Sequence, residues 1–348
     1  MKTQPHRGLM SYLFWAFVVT IGGLALGALI GWYYDGLSGA ISMLFICAVL
    51  AVLEISLSFD NAIVNANKLK SMRPEWQRRF LTWGILIAVF GMRIVFPLLV
   101  VVVAARVGPT EAVVLAATDP HEYGRIMHDA HLSIAAFGGT FLMMVALTYF
   151  FDHEKDIHWL SQIEEPMARF AAIRGAEIAV ALVVVMTFSH LVRPAENHEF
   201  LYAAILGLVT FLLVEILSGF LDSECRTTEA AARGGLGAFI YLEVLDASFS
   251  FDGVIGAFAL STNMFVIAIG LGIGAMYVRS MTIMLVEQST LVQYRYLEHG
   301  AFYAILVLSI VMFMQSIVNM PEVITGLFGA CPIGISLWAS IRWKRHNT

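Results

Sequence analysis

Residues 53–64, "LEISLSFDNAIV", place Glu54 and Asp60 in a stretch that otherwise has the apolar composition of a membrane-spanning helix. On insertion scales, a charged side chain at the centre of a bilayer costs about 2.5 to 3.5 kcal/mol. Two carboxylates at this depth therefore indicate a function. We also expect other residues of the chain to balance their negative charge.

The composition of the whole chain is that of a membrane protein. Of the 348 residues, 59% are hydrophobic and 14% are charged, whereas soluble domains carry about 25% charged residues. A helix of about 20 apolar residues crosses a bilayer, and ten apolar segments are candidates. They run over 9–34, 40–66, 80–104, 132–151, 174–192, 199–220, 235–261, 264–287, 300–319 and 322–341. We therefore predict an all-α, polytopic membrane helical bundle of about nine to ten transmembrane helices, forming one domain over 1–348.

The first and the last of these segments differ from the others. The segment 9–34 is longer than the about 7 to 15 apolar residues of a signal peptide, so we expect it to be retained as a span. The segment 322–341 is the weakest prediction, because "GACPIG" interrupts its apolar run. The three cysteines are scattered and form no CxxC pattern, so neither a disulfide framework nor a thiolate metal site is indicated.

The distribution of Lys and Arg predicts the orientation of the chain. With the N-terminus in the cytoplasm, the cytoplasmic connections contain 16 Lys and Arg residues and the external connections contain three. An excess of basic residues on the cytoplasmic side is the usual arrangement in membrane proteins. We therefore expect a multi-pass protein with both termini in the cytoplasm.

The opening stretch has a second copy later in the chain. Residues 50–60, "LAVLEISLSFD", and 242–252, "LEVLDASFSFD", are identical at seven of eleven positions, and Glu54 aligns with Asp246. In each copy a second span follows and carries one arginine, Arg93 or Arg279. These helix pairs define repeat one, at about 40–104, and repeat two, at about 235–287.

The charge-derived topology gives the two repeats opposite orientations in the membrane. The acidic span of repeat one then runs from outside to inside, and that of repeat two runs from inside to outside. Inverted repeats are typical of secondary transporters, in which the binding site lies at the interface between repeats near the bilayer midplane. The repeat therefore predicts a transporter with a central polar site.

Carboxylates outnumber arginines within the two repeats. The predicted site contains five acids and two charge-balancing arginines: Glu54, Asp60, Glu243, Asp246 and Asp252, with Arg93 and Arg279. Positions six residues apart lie 120° apart around a helix, so Glu54 and Asp60 do not share a face. Their convergence would require the helices to open near Asn61 and Gly253, residue types that tolerate irregular backbone.

An opened helix at this depth would be rich in oxygen ligands. Freed carbonyls, the hydroxyls of Ser58 and Ser250, and the carboxylates would suit Mg²⁺, Ca²⁺ or Mn²⁺. Neither motif contains His or Cys, which argues against zinc, copper and nickel. The spacing does not choose among the three hard ions. Glu215 lies deep in another apolar segment and is a candidate for the transport path, whereas Glu177 is near a cytoplasmic end and is expected to reach the membrane surface.

The motifs "EISLSFDNAIV" and "EVLDASFSFDGVIGAFALS" resemble those of the TerC family of integral membrane proteins, which is associated with tellurium resistance and manganese efflux. The resemblance covers roughly 40–290. It implies a bacterial inner-membrane protein of inverted repeats that exports Mn²⁺. Carried over to this sequence, the implied metal site consists of Glu54, Asp60 and Asn61 with Glu243, Asp246 and Asp252. Ala51 stands where the second copy has Glu243, so the two halves of the site are not equivalent.

The leading hypothesis is therefore export of a divalent cation, Mn²⁺ above all, in exchange for protons. No P-loop is present, since "GLGIGA" at 270–275 lacks Lys, so we expect neither nucleotide binding nor enzymatic activity. The expected partners are the cation, protons and the bilayer, with no cofactor and no nucleic acid. Three alternatives remain open: a Ca²⁺/H⁺ exchanger, a non-transporting scaffold of a metal or tellurite stress complex with unknown soluble partners, and an intramembrane aspartyl hydrolase.

Overall fold

The structure is a computed structural model that describes residues 9–70, 72–84, 87–152, 157–170, 173, 175–223, 235–261, 263–287, 294–318 and 322–347. Within these ranges the protein is helical and contains no β-strand. The elements are α1 (Leu9–Leu57), α2 (Phe59–Lys70), α3 (Pro74–Arg79), two π-helices π1 (Phe80–Gly84) and π2 (Ile87–Val95), α4 (Phe96–Ala105), α5 (Pro109–Thr118), α6 (Pro120–Asp129), α7 (His131–Phe150), α8 (Ser161–Phe170), α9 (Ala176–Leu191), α10 (Asn197–Ser223), α11 (Leu236–Leu260), α12 (Met264–Glu287), α13 (Leu297–Gln315) and α14 (Glu322–Asn347).

Helix α1 is a hairpin of two arms, 9–34 and 37–57. At Gly36 the backbone has a φ of +58°, a conformation that glycine adopts without steric cost. Gly27 and Cys47 would be about 30 Å apart along a straight helix. Instead they touch, because a Cβ on Gly27 would lie 2.8 Å from Cys47 Sγ. The chain therefore reverses at Gly36, as two separate apolar segments predicted.

The prediction of an all-α polytopic bundle is confirmed. Each predicted apolar segment falls on a helix or on consecutive helices, and five of the described helices are long and apolar enough to cross a membrane. The segment 322–341, the weakest prediction, lies on α14, a helix of 26 residues that continues through Pro332. The molecule is a helical membrane protein.

Helix α7 is central to the bundle. Fourteen of its 20 residues are buried, and it packs against α9, α10, α11 and α13. Small residues allow these helices to approach closely: a Cβ on Gly207 of α10 would lie 2.3 Å from the carbonyl oxygen of Phe137. By contrast, only 22% of the most apolar window of α1 is buried. This window of the hairpin therefore lies largely exposed on the surface of the bundle.

The two acidic helices run antiparallel to each other. Asp246 of α11 accepts hydrogen bonds from Asn61 and Asn65. Seven residues further along α11, Gly253 lies beside Glu54, whose Oε2 would be 3.1 Å from a Cβ at that glycine. The numbering thus rises along one helix as it falls along the other. This is the arrangement that an inverted repeat requires.

The repeats also exchange packing contacts. Each arginine-bearing segment presents a glycine to the acidic helix of the other repeat. A Cβ on Gly84 would lie 2.5 Å from Glu243 Oε1, and a Cβ on its aligned partner Gly270 would lie 2.6 Å from Leu50 Cβ. Leu50 aligns with Leu242, the residue before Glu243. The two contacts therefore occupy nearly equivalent places in the two repeats.

Replacing Gly274 by alanine is expected to destabilise this interface. A Cβ there would lie 2.4 Å from Glu54 Cβ and 3.0 Å from the carbonyl oxygen of Ala51, and overpacking of this kind costs about 1 to 3 kcal/mol. The matched control is Gly22→Ala, because nothing lies within 4 Å of a Cβ at Gly22. Thermal unfolding in detergent should show a lower melting temperature for the first variant only. Equal stability of the two variants would contradict the close packing of α12 on α1.

Candidate cation site

Glu54 lies where the two repeats meet. It is on the second arm of α1, is 3% exposed and forms an ion pair with Arg93. Ser58, one turn later, donates a hydrogen bond of 3.1 Å from its Oγ to Glu54 Oε1. Two glycines of repeat two, Gly253 and Gly274, leave room for the Glu54 side chain.

Arg93 comes from a widened helix. The segment that contains it, π2, is a π-helix of nine residues, a form that usually occurs as single turns at functional sites. Pro97 follows, and a proline lacks the N–H and displaces the carbonyl of the residue four positions earlier, here Arg93. The proline accounts for the loss of α-helical hydrogen bonding before it. Arg93 is itself 3% exposed.

Asp246 is held by amide groups of the other repeat. Asn61 donates a hydrogen bond from Nδ2 to Asp246 Oδ1, and Asn65 donates to the same oxygen at 3.3 Å. Both asparagines are 4% exposed. Being four residues apart, they lie on the same face of α2. The two aligned acids of the repeats therefore have different partners, a guanidinium for Glu54 and two amides for Asp246.

These side chains surround a cavity of about 40 Å³. It is lined by Glu54, Ser58, Asn61, Asn65, Phe80, Leu81, Gly84, Arg93, Asp246, Ala275, Val278, Arg279 and Thr282. Its lining combines carboxylate, amide and hydroxyl oxygens, the ligands that hard divalent cations prefer. Residues of both repeats contribute to this lining.

Arg279 also reaches this cavity, although it makes no ion pair with any described residue. It donates a hydrogen bond of 2.8 Å to the carbonyl oxygen of Leu81 in π1. Of the two predicted charge-balancing arginines, only Arg93 contacts a carboxylate in the part of the chain that the structure describes.

The structure places the other predicted residues as follows. Glu243 lies beside Gly84 at the edge of the site but is not among the residues that line the cavity. Glu215 is exposed on α10 and does not line the cavity either. The side chains of Asp60, Asp252 and Ser250 lie outside the described residues, so their contribution stays a prediction.

The predicted opening of the helices is wrong near Gly253, and in repeat one the helix is interrupted at Ser58 rather than at Asn61. In repeat two, α11 continues through Gly253 without a break. In repeat one the α-helix is interrupted at Ser58, between α1 and α2. The backbone N–H of Ser58 still donates a hydrogen bond of 3.0 Å to the carbonyl oxygen of Glu54. Glu54 and Asp246 reach the same cavity because the acidic helices of the two repeats lie side by side.

Sequence reasoning missed Asn65, which lines the cavity. A signal was present: an amide four residues after Asn61, on the same helical face of an otherwise apolar run. No group of three His, Cys, Asp or Glu side chains within the described ranges is arranged to hold a metal ion. Cation binding here would therefore depend on amide and hydroxyl oxygens in addition to Glu54 and Asp246.

The fold and the cavity define a polytopic helical membrane protein with a buried polar site between two antiparallel acidic helices. Residues 59–347 match the family described as "Protein of unknown function (DUF475)". This match spans most of the chain, and the protein therefore belongs to that family. No curated protein and no solved structure matches the chain.

Breaking the Arg93–Glu54 pair from one side is expected to be costly. Arg93→Gln or Glu54→Gln leaves a buried charge without its partner, which costs about 3 to 5 kcal/mol. The double variant removes both charges and should regain much of this loss. Thermal unfolding of the four proteins in detergent measures the coupling between the two side chains. Arg279→Gln is the control, since it removes a bond to a carbonyl. If the stability losses of the two single variants add up to the loss of the double variant, the interaction between Arg93 and Glu54 does not contribute to stability.

Proposed function

We propose that this protein is a secondary transporter that exports a divalent cation, most favourably Mn²⁺, in exchange for protons. In this proposal it lies in the bacterial inner membrane with both termini in the cytoplasm. The choice of Mn²⁺ rests on the resemblance of the two acidic motifs to the TerC family. The class of substrate rests on the chemistry of the cavity.

One observation carries the proposal. A buried cavity between antiparallel acidic helices brings together Glu54 of repeat one and Asp246 of repeat two, with amide and hydroxyl oxygens between them. Ionisable residues at membrane depth are rare and usually mark ion pathways. A purely structural role would need only as many acids as there are basic partners. The predicted site contains five acids and two arginines, a net charge of −3.

The present contacts explain how the site stays stable without its substrate. Arg93 neutralises Glu54, and the amide donors satisfy Asp246. An arriving divalent cation would compete with these groups for the same carboxylate oxygens. Binding and release would then exchange one set of partners for another, so that neither carboxylate is left uncompensated at membrane depth.

Neutralising the shared acids of the site should abolish transport. We expect Asp246→Asn, and also Asp60→Asn and Asp252→Asn, to stop cation flux while the protein remains in the membrane at near-normal levels. The measurement is uptake of Mn²⁺, Ca²⁺, Mg²⁺ and Zn²⁺ into proteoliposomes. Glu165→Gln serves as the control, because Glu165 is exposed on α8 and does not line the cavity. Wild-type flux in all three variants would refute the site, and preference for Ca²⁺ would favour the alternative Ca²⁺/H⁺ exchanger.

Transport should also move protons. A bound divalent cation changes the charge of the five acids and two arginines from −3 to −1, and a cluster of carboxylates in a low dielectric favours uptake of protons when no metal is bound. The test is Mn²⁺ influx into vesicles that contain a pH dye, with and without an imposed pH gradient. A rate that ignores the gradient, together with no proton release on Mn²⁺ addition, would refute coupling but not cation transport. Absence of any flux would favour the scaffold hypothesis.

A further inference from the structure

Asn65 has an unusual position for a polar side chain. It lines the cavity, is 4% exposed and lies one helical turn from Asn61 on α2. Its Nδ2 donates to Asp246 Oδ1 at 3.3 Å. Its Oδ1 is buried and accepts no hydrogen bond from any residue that the structure describes.

The orientation of this amide follows from the chemistry of its neighbour. An ionised carboxylate can only accept hydrogen bonds, so the amide presents its nitrogen to Asp246. The amide oxygen is thereby kept in the site without a donor. Burying a polar group without a partner costs about 1 to 3 kcal/mol, and most native proteins avoid this cost. A buried amide oxygen beside a carboxylate is, however, well suited to a hard cation.

We propose that Asn65 is a direct ligand of the transported cation and supplies its amide oxygen beside Asp246. This inference rests on the proposed function and deepens it, because it names a neutral ligand that the sequence motifs do not include. In the cation-free state the amide nitrogen stabilises Asp246. In the loaded state the oxygen of the same side chain joins the coordination of the ion, together with the Asp246 carboxylate.

A neutral ligand at this position also fits the charge of the site. Amide oxygens complete the coordination of Ca²⁺, Mg²⁺ or Mn²⁺ without adding negative charge. The described lining holds the carboxylates of Asp246 and Glu54 and the guanidinium groups of Arg93 and Arg279. The amide oxygen of Asn65 adds a ligand without changing this balance. The hydroxyl of Ser58 lies in the same cavity and is of the same neutral class.

Asn67 provides a matched comparison on the same helix. Its Nδ2 also donates to a carboxylate, Glu298 Oε1, at 2.9 Å, but it does not line the cavity. Replacing either asparagine by alanine removes the same side chain and one amide-to-carboxylate hydrogen bond. Only the change at Asn65 removes an oxygen from the proposed site.

The experiment measures Mn²⁺ binding to the purified full-length protein in detergent by titration calorimetry. Four proteins are compared: wild type, Asn65→Ala, Asn65→Asp and Asn67→Ala, each first shown to be monodisperse and thermally folded. We expect Asn65→Ala to weaken Mn²⁺ binding by about tenfold or more, as loss of a group that supports a metal site does. Asn65→Asp keeps an oxygen at this position and should bind at least as tightly as wild type. Asn67→Ala should bind like wild type.

Tighter Mn²⁺ binding by Asn65→Ala than by Asn65→Asp would overturn the proposal. If Asn65 serves only as a donor to Asp246, the aspartate variant places two carboxylates side by side and should bind Mn²⁺ less well than the alanine variant. Equal binding by wild type and Asn65→Ala would also overturn it, while leaving the proposed function intact. Failure of the wild-type protein to bind Mn²⁺, Ca²⁺ or Mg²⁺ would instead refute the proposed function and this inference together.

Discussion

The ion pair between Glu54 and Arg93 joins residues that lie 39 positions apart in the chain and is buried on all sides. Neither charge could remain alone at this depth, since an orphaned buried charge costs several kcal/mol. The pair therefore requires that π2 bring Arg93 within reach of α1, and Gly274 leaves space beside the Glu54 side chain. A local electrostatic need thus constrains helices from both repeats.

The repeats supply similar helices but unlike partners, and one aligned position explains much of the difference. Asn61 of the first copy corresponds to Gly253 of the second. The asparagine reaches across the interface to Asp246, whereas the glycine has no side chain and leaves room for Glu54. The aligned position therefore provides a hydrogen-bond donor to Asp246 in the first copy and space for Glu54 in the second copy. Two internally related halves build one asymmetric site rather than two equal ones.

The helices could be predicted from sequence because apolar runs of sufficient length have few other solutions in a membrane. The repeat likewise identified Glu54 and Asp246 before any contact was known. The choice of partners could not be predicted, because whether Asp246 meets an arginine or an amide depends on the packing of helices distant in sequence. The expected opening at Gly253 failed for a related reason: glycine permits irregular backbone, but here close helix packing uses its small size instead.

The hairpin α1 lies before the residues that match the family, yet it contributes to the cavity. The family match starts at Phe59, two residues after the hairpin ends at Leu57, yet Glu54 belongs to the hairpin. A chain that started at Phe59 would retain Arg93 without the Glu54 carboxylate. It would also lose the surface of α1 on which α12 packs. The hairpin is thus an integral part of the structure that holds the candidate site, although it lies before the matched residues.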